Sequence, residues 1–139
     1  MSALPITRER DRPRAHLREP AAPPLDPTPL LGWWVNFETA SRGVRELHVT
    51  RSGKGLLVRI TGAGPDTPID WGEAPAEPFS DGVDLRAAVA FSAHYDFGYL
   101  RTLVAAYLNK RLLVVDTYNT FHDGSGRSGY FARDHFYIP

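Results

Sequence analysis

The stretch from Val83 to Phe97 constrains this chain more than any other. Val83, Leu85, Ala87, Val89, Phe91, Ala93, Tyr95 and Phe97 fall on one face, and Asp84, Arg86, Ser92, His94 and Asp96 on the other. A period of two is the mark of an extended strand with one dry face and one wet face. Such a strand needs partners, and the text on either side supplies them. Leu30 to Phe37, Gly43 to Arg51, Leu56 to Thr61, a short Ile69 to Trp71, Tyr99 to Leu108, Arg111 to Phe121 and Ser128 to Ile138 also read as strands. Turn chemistry separates them at Ser52-Gly53-Lys54-Gly55, Asn109-Lys110 and Asp123-Gly124-Ser125-Gly126. Glu73 to Gly82 carries Pro75, Pro78 and an Asp81-Gly82 turn, so it reads as irregular. Links this short join antiparallel neighbours. The expectation is an all-β protein, an antiparallel up-and-down β-barrel of about eight strands. Leu100 to Leu108 also fits a helical stripe, but the clear period two of its neighbours decides for strand.

The chain divides near Pro29 into an arm, residues 1–29, and a barrel domain, residues 30–139. The arm holds seven of the 12 prolines, and Arg8, Arg10, Arg12, Arg14 and Arg18 alternate with Glu9, Asp11 and Glu19. Proline at this density cannot hold a helix or a central strand, and the apolar content is too low for a core. It reads as an extended, solvated tail. The alternative is an arm that docks on a protein partner through Leu4, Ile6, Leu17 and Leu25, its arginines pairing with carboxylates.

Charge and composition narrow the function. The chain of 139 residues has 16 basic and 16 acidic side chains and a formal net charge of zero, so no nucleic-acid footprint is expected. It has no cysteine, which excludes disulfides and thiolate metal sites. No apolar run reaches membrane-span length and no signal-peptide core is visible, so no membrane partner is expected and the cytoplasm is the expected compartment. Glu46 and His48 share a strand face at a spacing that can hold a metal, but no third ligand is apparent and no zinc signature occurs, so neither metal nor cofactor is expected.

Two strands carry a surplus of apolar residues. Leu103 to Leu108 and Leu112 to Val115 are apolar on both faces. One face serves the core. Leaving the other wet is unfavourable at roughly 25 cal/mol per Å2, so a homo-oligomer through strands six and seven is expected.

The first strand, Leu30-Leu31-Gly32-Trp33-Trp34-Val35-Asn36-Phe37, opens directly after the arm. Apolar alternation alone turns Leu31, Trp33, Val35 and Phe37 inward. The segment Gly32, Trp34, Asn36 also resembles the G-x-W-x-N first strand of calycin-type barrels, the avidins and lipocalins. That resemblance implies a calycin-like fold, turns Trp34 and Asn36 inward, and implies a ligand inside the barrel. The second parity is adopted here, because ligand cavities need polar points. Asn36 offers both a donor and an acceptor; the other reading of it is a strand-end residue bonding its own loop.

Candidate ligand-binding residues are therefore Trp34, Asn36, Phe91 and Tyr95, with Trp71 and Tyr118 as neighbours. Tyr95 shares the inward parity of its strand, where a buried phenol needs a partner. Asp116, Tyr118 and Thr120 share one face of strand seven and Thr117 and Asn119 the other, and either set can meet the cavity. Asp116 on the inner face would be a buried carboxylate suited to acid–base work; on the outer face it is a solvated charge. Tyr95 and Asp116 are thus the candidate catalytic pair. Three function classes follow: a barrel holding a mostly apolar small organic ligand, a cofactor-free cyclase or isomerase of natural-product biosynthesis, or an assembly protein whose arm docks on a partner.

Overall fold

The computed structural model describes residues 24–53 and 55–139. The arm's anchors Leu4, Ile6 and Leu17 and its arginines lie outside the described residues. A 3-10 turn at Thr28–Leu30 leads into eight strands: β1 Gly32–Asn36, β2 Val44–Ser52, β3 Gly55–Gly62, β4 Ile69–Ser80, β5 Ala88–Asp96, β6 Leu100–Asn109, β7 Leu112–Phe121 and β8 Tyr130–Tyr137. They pair antiparallel in chain order and close into a barrel, β8 returning to β1. The all-β up-and-down barrel expected from the alternating pattern is what forms, and Leu100 to Leu108 is strand. Among the described residues no helix is long and apolar enough to cross a membrane.

Two boundaries differ from expectation. β4 is not a three-residue strand followed by irregular chain; it runs through Pro75 and Pro78 to Ser80. The reason is the ladder. Up to Ala76, β4 pairs with β3; from Ala76 onward it pairs with β5. Each proline thus lies where β4 has one partner only, which is where a residue without N–H is tolerated. The β4–β5 ladder stops at Ala76↔Ala93, one residue short of Pro75. Conversely, β5 begins at Ala88, and Val83 and Leu85 are exposed. The alternating pattern continues there, but β4 has already ended opposite Ala88, so no neighbour remains to pair with.

The two ends of the barrel differ. At the lower end the segment before β1 folds across the opening. Asp26 N–H donates to the Arg86 carbonyl at 2.7 Å and Ala88 N–H to the Asp26 carbonyl at 2.7 Å, while Asp26 Oδ1 accepts from Thr28 N–H at 3.1 Å and starts the 3-10 turn. Leu25 packs against the core and Leu30 is completely buried. Trp34 Nε1 donates to the Leu30 carbonyl at 2.9 Å and holds this plug. Strand-one parity is settled by the same contact: Trp34 is 3% exposed and Trp33 45%. Above the plug, Phe91 and Phe136 are set among Ala74, Ala76, Ala93 and Ala106, all buried. Large rings beside alanines fill the lower barrel, the complementary sizes that close packing needs.

Phe91 is 1% exposed inside that packing. Phe91→Ala should therefore lower unfolding stability by about 3–5 kcal/mol in urea titrations, with the β-type circular dichroism retained. A loss under about 1 kcal/mol would mean that the lower barrel is loosely filled.

Candidate functional site

Above the Phe91 layer the interior changes chemistry. Register places Thr102 beside Asn119 and Val104 beside Thr117, so the face of β7 that turns inward is Leu113, Val115, Thr117, Asn119. Thr102 Oγ1 donates to Asn119 Oδ1 at 2.7 Å; Asn119 Nδ2 donates at 3.3 Å to Thr117 Oγ1 and at 3.4 Å to the Tyr130 carbonyl. From β8, Ala132 and Asp134 share the same inward parity through their partners Thr117 and Val115. The result is a cavity of about 350 Å3 at the upper mouth. Its walls include Val44, Trp71, Leu100, Thr102, Thr117, Asn119, Tyr130, Ala132 and Asp134, with Ser41, Arg42 and Gly43 of the β1–β2 loop above.

That loop is stapled down by side chains. Asn36 Nδ2 donates to the Val44 carbonyl at 2.8 Å and Asn36 Oδ1 accepts from Glu38 N–H at 2.8 Å. Ser41 Oγ accepts from Gly43 N–H at 3.1 Å and donates to Asp134 Oδ2 at 3.2 Å. The hydroxyl thus ties the loop to β8.

Trp71 is placed by a β-bulge. Ile60 pairs with Gly72 and Thr61 with Asp70, leaving Trp71 as the extra residue, and Gly72 takes φ +87°. A Cβ at Gly62 would collide with the indole Nε1 of Trp71, so the ring sits directly against the glycine. Trp71 meets Tyr95 edge-on at 5.5 Å and Phe97 edge-on at 5.2 Å, and the latter two stack at 6.0 Å. Tyr95 Oη donates to the Gly72 carbonyl at 2.9 Å, with the Val58 carbonyl oxygen 3.2 Å away. Burial, with the Asp70 carboxylate nearby, pushes the Tyr95 phenol up to about 12.

The sequence-derived candidates are thus distributed over three places. Trp71 lines the mouth cavity. Asn36 and Tyr95 border the upper interior, but the amide of Asn36 and the hydroxyl of Tyr95 are engaged with backbone. Trp34 and Phe91 point inward and belong to the packed lower barrel, outside the cavity. Tyr118 and Asp116 point outward. Tyr118 is 47% exposed and its ring lies 5.2 Å from that of Phe131. Asp116 is neither an inner acid nor a solvated charge: it is 6% exposed on the outer face, its oxygens taking Arg133 Nε at 2.7 Å and Nη2 at 2.9 Å. The pair Tyr95 and Asp116 is therefore separated by the barrel wall. Sequence reasoning left Thr117 and Asn119 as one of two faces able to meet the cavity, and it did not pick out Thr102 and Asp134. Their signal was the polar interruption of an inward stripe on strands six to eight, legible only once the register is known.

The other pairings are structural. On the outer face of β2, His48 Nε2 is 3.8 Å from Glu46, Trp33 stacks on His48 at 5.9 Å, and Trp33 Nε1 donates to Glu46 at 3.0 Å. No group of three metal-ligating side chains occurs among the described residues. A depression of about 430 Å3 on the outside of β5–β7 is lined in part by His94, Leu103, Thr120 and the Asp96–Arg101 pair.

Tyr95 yields a pH prediction. Folding raises the phenol above its free value of roughly 10. Its neutral form therefore stabilises the fold below pH ~10, and that contribution is lost as the pH climbs through about 12. Absorbance titration of the six tyrosines should show one late ionisation that Tyr95→Phe removes. The same variant should lose about 1–3 kcal/mol of stability at neutral pH, because the Gly72 carbonyl is left without its donor. A single transition shared by all tyrosines would overturn this. No protein family, no curated protein and no solved structure matches the chain in comparison.

Proposed function

We propose that this protein is a small-molecule-binding β-barrel that takes a mostly apolar organic ligand, bearing one or two polar groups, through its upper mouth. The observation that carries the reading is the division of the interior. The lower barrel is plugged and packed, whereas about 350 Å3 at the mouth is left open between the Trp71 ring and the Thr102–Asn119–Thr117 chain. That volume falls in the lower part of the ~300–1,000 Å3 range of ligand pockets, and a mixed apolar and polar lining is typical of them. Membership of the calycin-like barrels and a cytoplasmic setting fit this reading. Binding takes precedence over a cyclase or isomerase. The two groups proposed for acid–base chemistry stand on opposite faces of the wall, one held by a backbone carbonyl and the other by Arg133.

Native mass spectrometry of protein purified from its own host tests the idea. The wild type should carry an added mass of a few hundred daltons, and Ala132→Phe, which fills the cavity from β8, should lose it while remaining folded. Adduct-free wild-type protein that also fails to respond to any aromatic probe would sink the proposal.

We also propose a homo-oligomer through the outer face of β6 and β7, extended by β8. Tyr107, Tyr118 and Phe131 are 38%, 47% and 50% exposed there, beside Leu103 and Leu112. Tyr118→Arg should convert the assembly to monomers in light scattering, since an unpaired charge is costly in a dry contact. A wild type that is monomeric at high concentration would refute it.

A further inference from the structure

Charged groups around the upper half of the barrel come mostly in pairs. Asp116 holds Arg133, Asp70 holds Arg59, Asp96 holds Arg101 and Asp123 holds Arg127. Three charged residues line the mouth cavity: Arg42, Arg133 and Asp134. Arg133 is committed to Asp116 by two hydrogen bonds. Asp134 and Arg42 remain. Among the described residues Asp134 has no cationic partner; its one hydrogen bond is the donation from Ser41 Oγ at 3.2 Å to Oδ2, which leaves Oδ1 open. The Arg42 side chain makes neither an ion pair nor a hydrogen bond among the described residues, so all five of its N–H donors are available. The two charges are opposite in sign, border one cavity, and flank Ser41, whose hydroxyl fixes the loop that carries one to the strand that carries the other.

The half-buried carboxylate keeps a free acceptor, and the exposed guanidinium beside it keeps its donors, so both can be engaged by a ligand in the cavity. A ligand with a single charge would engage one of them and place its charge near the like-charged other. A ligand with both charges engages both. We propose that the mouth selects zwitterions: a protonated amine on Asp134, a carboxylate on Arg42, and a compact apolar or aromatic body against Trp71 and Leu100. The ligand class is then an amino acid or a closely related amino-carboxylate with an apolar side chain. The inference rests on the mouth being a ligand site, as proposed above.

Four probes that share a phenethyl group separate the two ideas: L-phenylalanine, phenethylamine, 3-phenylpropionate and uncharged 2-phenylethanol, each titrated by calorimetry into the full-length protein. L-phenylalanine should bind at least about tenfold more tightly than any of the other three. Asp134→Asn should weaken L-phenylalanine and phenethylamine by about tenfold and leave 3-phenylpropionate unchanged. Arg42→Gln should weaken L-phenylalanine and 3-phenylpropionate and leave phenethylamine unchanged. Both positions have access to solvent, and circular dichroism checks that the variants fold. If 2-phenylethanol binds as tightly as L-phenylalanine, and Ala132→Phe abolishes both, zwitterion selection is overturned while the ligand site stands. If none of the four binds at millimolar concentration, the inference and the site fall together.

Discussion

The structure depends on how β1 closes onto β8. Every other neighbouring pair shares a ladder of at least four matched residues, whereas β1 meets β8 at two, Val35↔Tyr137 and Asn36↔Phe136, supplemented by Phe37 N–H donating to the His135 carbonyl at 2.9 Å. A closed barrel has no free edges to template association, but only while this seam holds. Strand one spends its distinctive residues on it. Trp34 reaches down to the Leu30 carbonyl and fixes the plug; Asn36 reaches up to Glu38 and Val44 and fixes the loop. A short strand with a weak ladder is thereby held at both ends by side chains. The G-x-W-x-N pattern in this chain is accounted for by closure, with no ligand contact required of Asn36.

Closure below leaves function to the upper rim, and the rim is shaped by backbone irregularity. Pro75 halts the β4–β5 ladder, and the bulge at Trp71 re-aims an indole that would otherwise follow the strand's alternation. The two irregularities are compensated by one side chain. Tyr95, on the β5 segment that has no β4 ladder, donates its phenol proton to the carbonyl of Gly72 in the bulge. Removing that donor from a part-buried carbonyl would be unfavourable by more than an ordinary hydrogen bond contributes, so the bulge, the proline and the tyrosine form one unit. Gly62 belongs to it as well, since only a residue without a side chain admits the indole.

How much of this was legible beforehand follows from the range of each signal. Period-two alternation is local, so the strands and the barrel could be read directly, and so could the inward turn of Phe91 and Tyr95. The same signal misled wherever pairing decides. Val83 and Leu85 alternate correctly but have no neighbour, and β4 was hidden by prolines whose harmlessness depends on which side of the strand is paired. The mouth was harder still. Thr117 and Asn119 face inward because of a register with β6 that the strand's own residues do not determine. Ser41 and Asp134, which meet at 3.2 Å, are 93 positions apart in the chain. Asp116 illustrates the limit: both alternatives open to it, a buried inner acid or a solvated outer one, assumed that the outside of the wall is wet.

The outside of β7 is dry at Val114 and Asp116, and the reason bears on assembly. Val114 is 1% and Asp116 6% exposed although both point away from the interior. Arg133 lies across the sheet, doubly bonded to Asp116, with its guanidinium 5.5 Å from the Phe131 ring centre. The arginine thus covers the carboxylate with its own charge and aligns its planar head with the aromatic patch. Two consequences follow together. The ion pair is satisfied within one chain, so its burial in an interface would not strand a charge. The centre of the face also carries no net charge, so two copies brought together there would not repel each other, whereas the outer faces of β2 to β4, with Glu46, Arg59, Asp70, Glu73 and Glu77, present charges that a second copy would have to desolvate. Of these two outer surfaces, the β6–β8 face is therefore the one whose electrostatics would oppose association less.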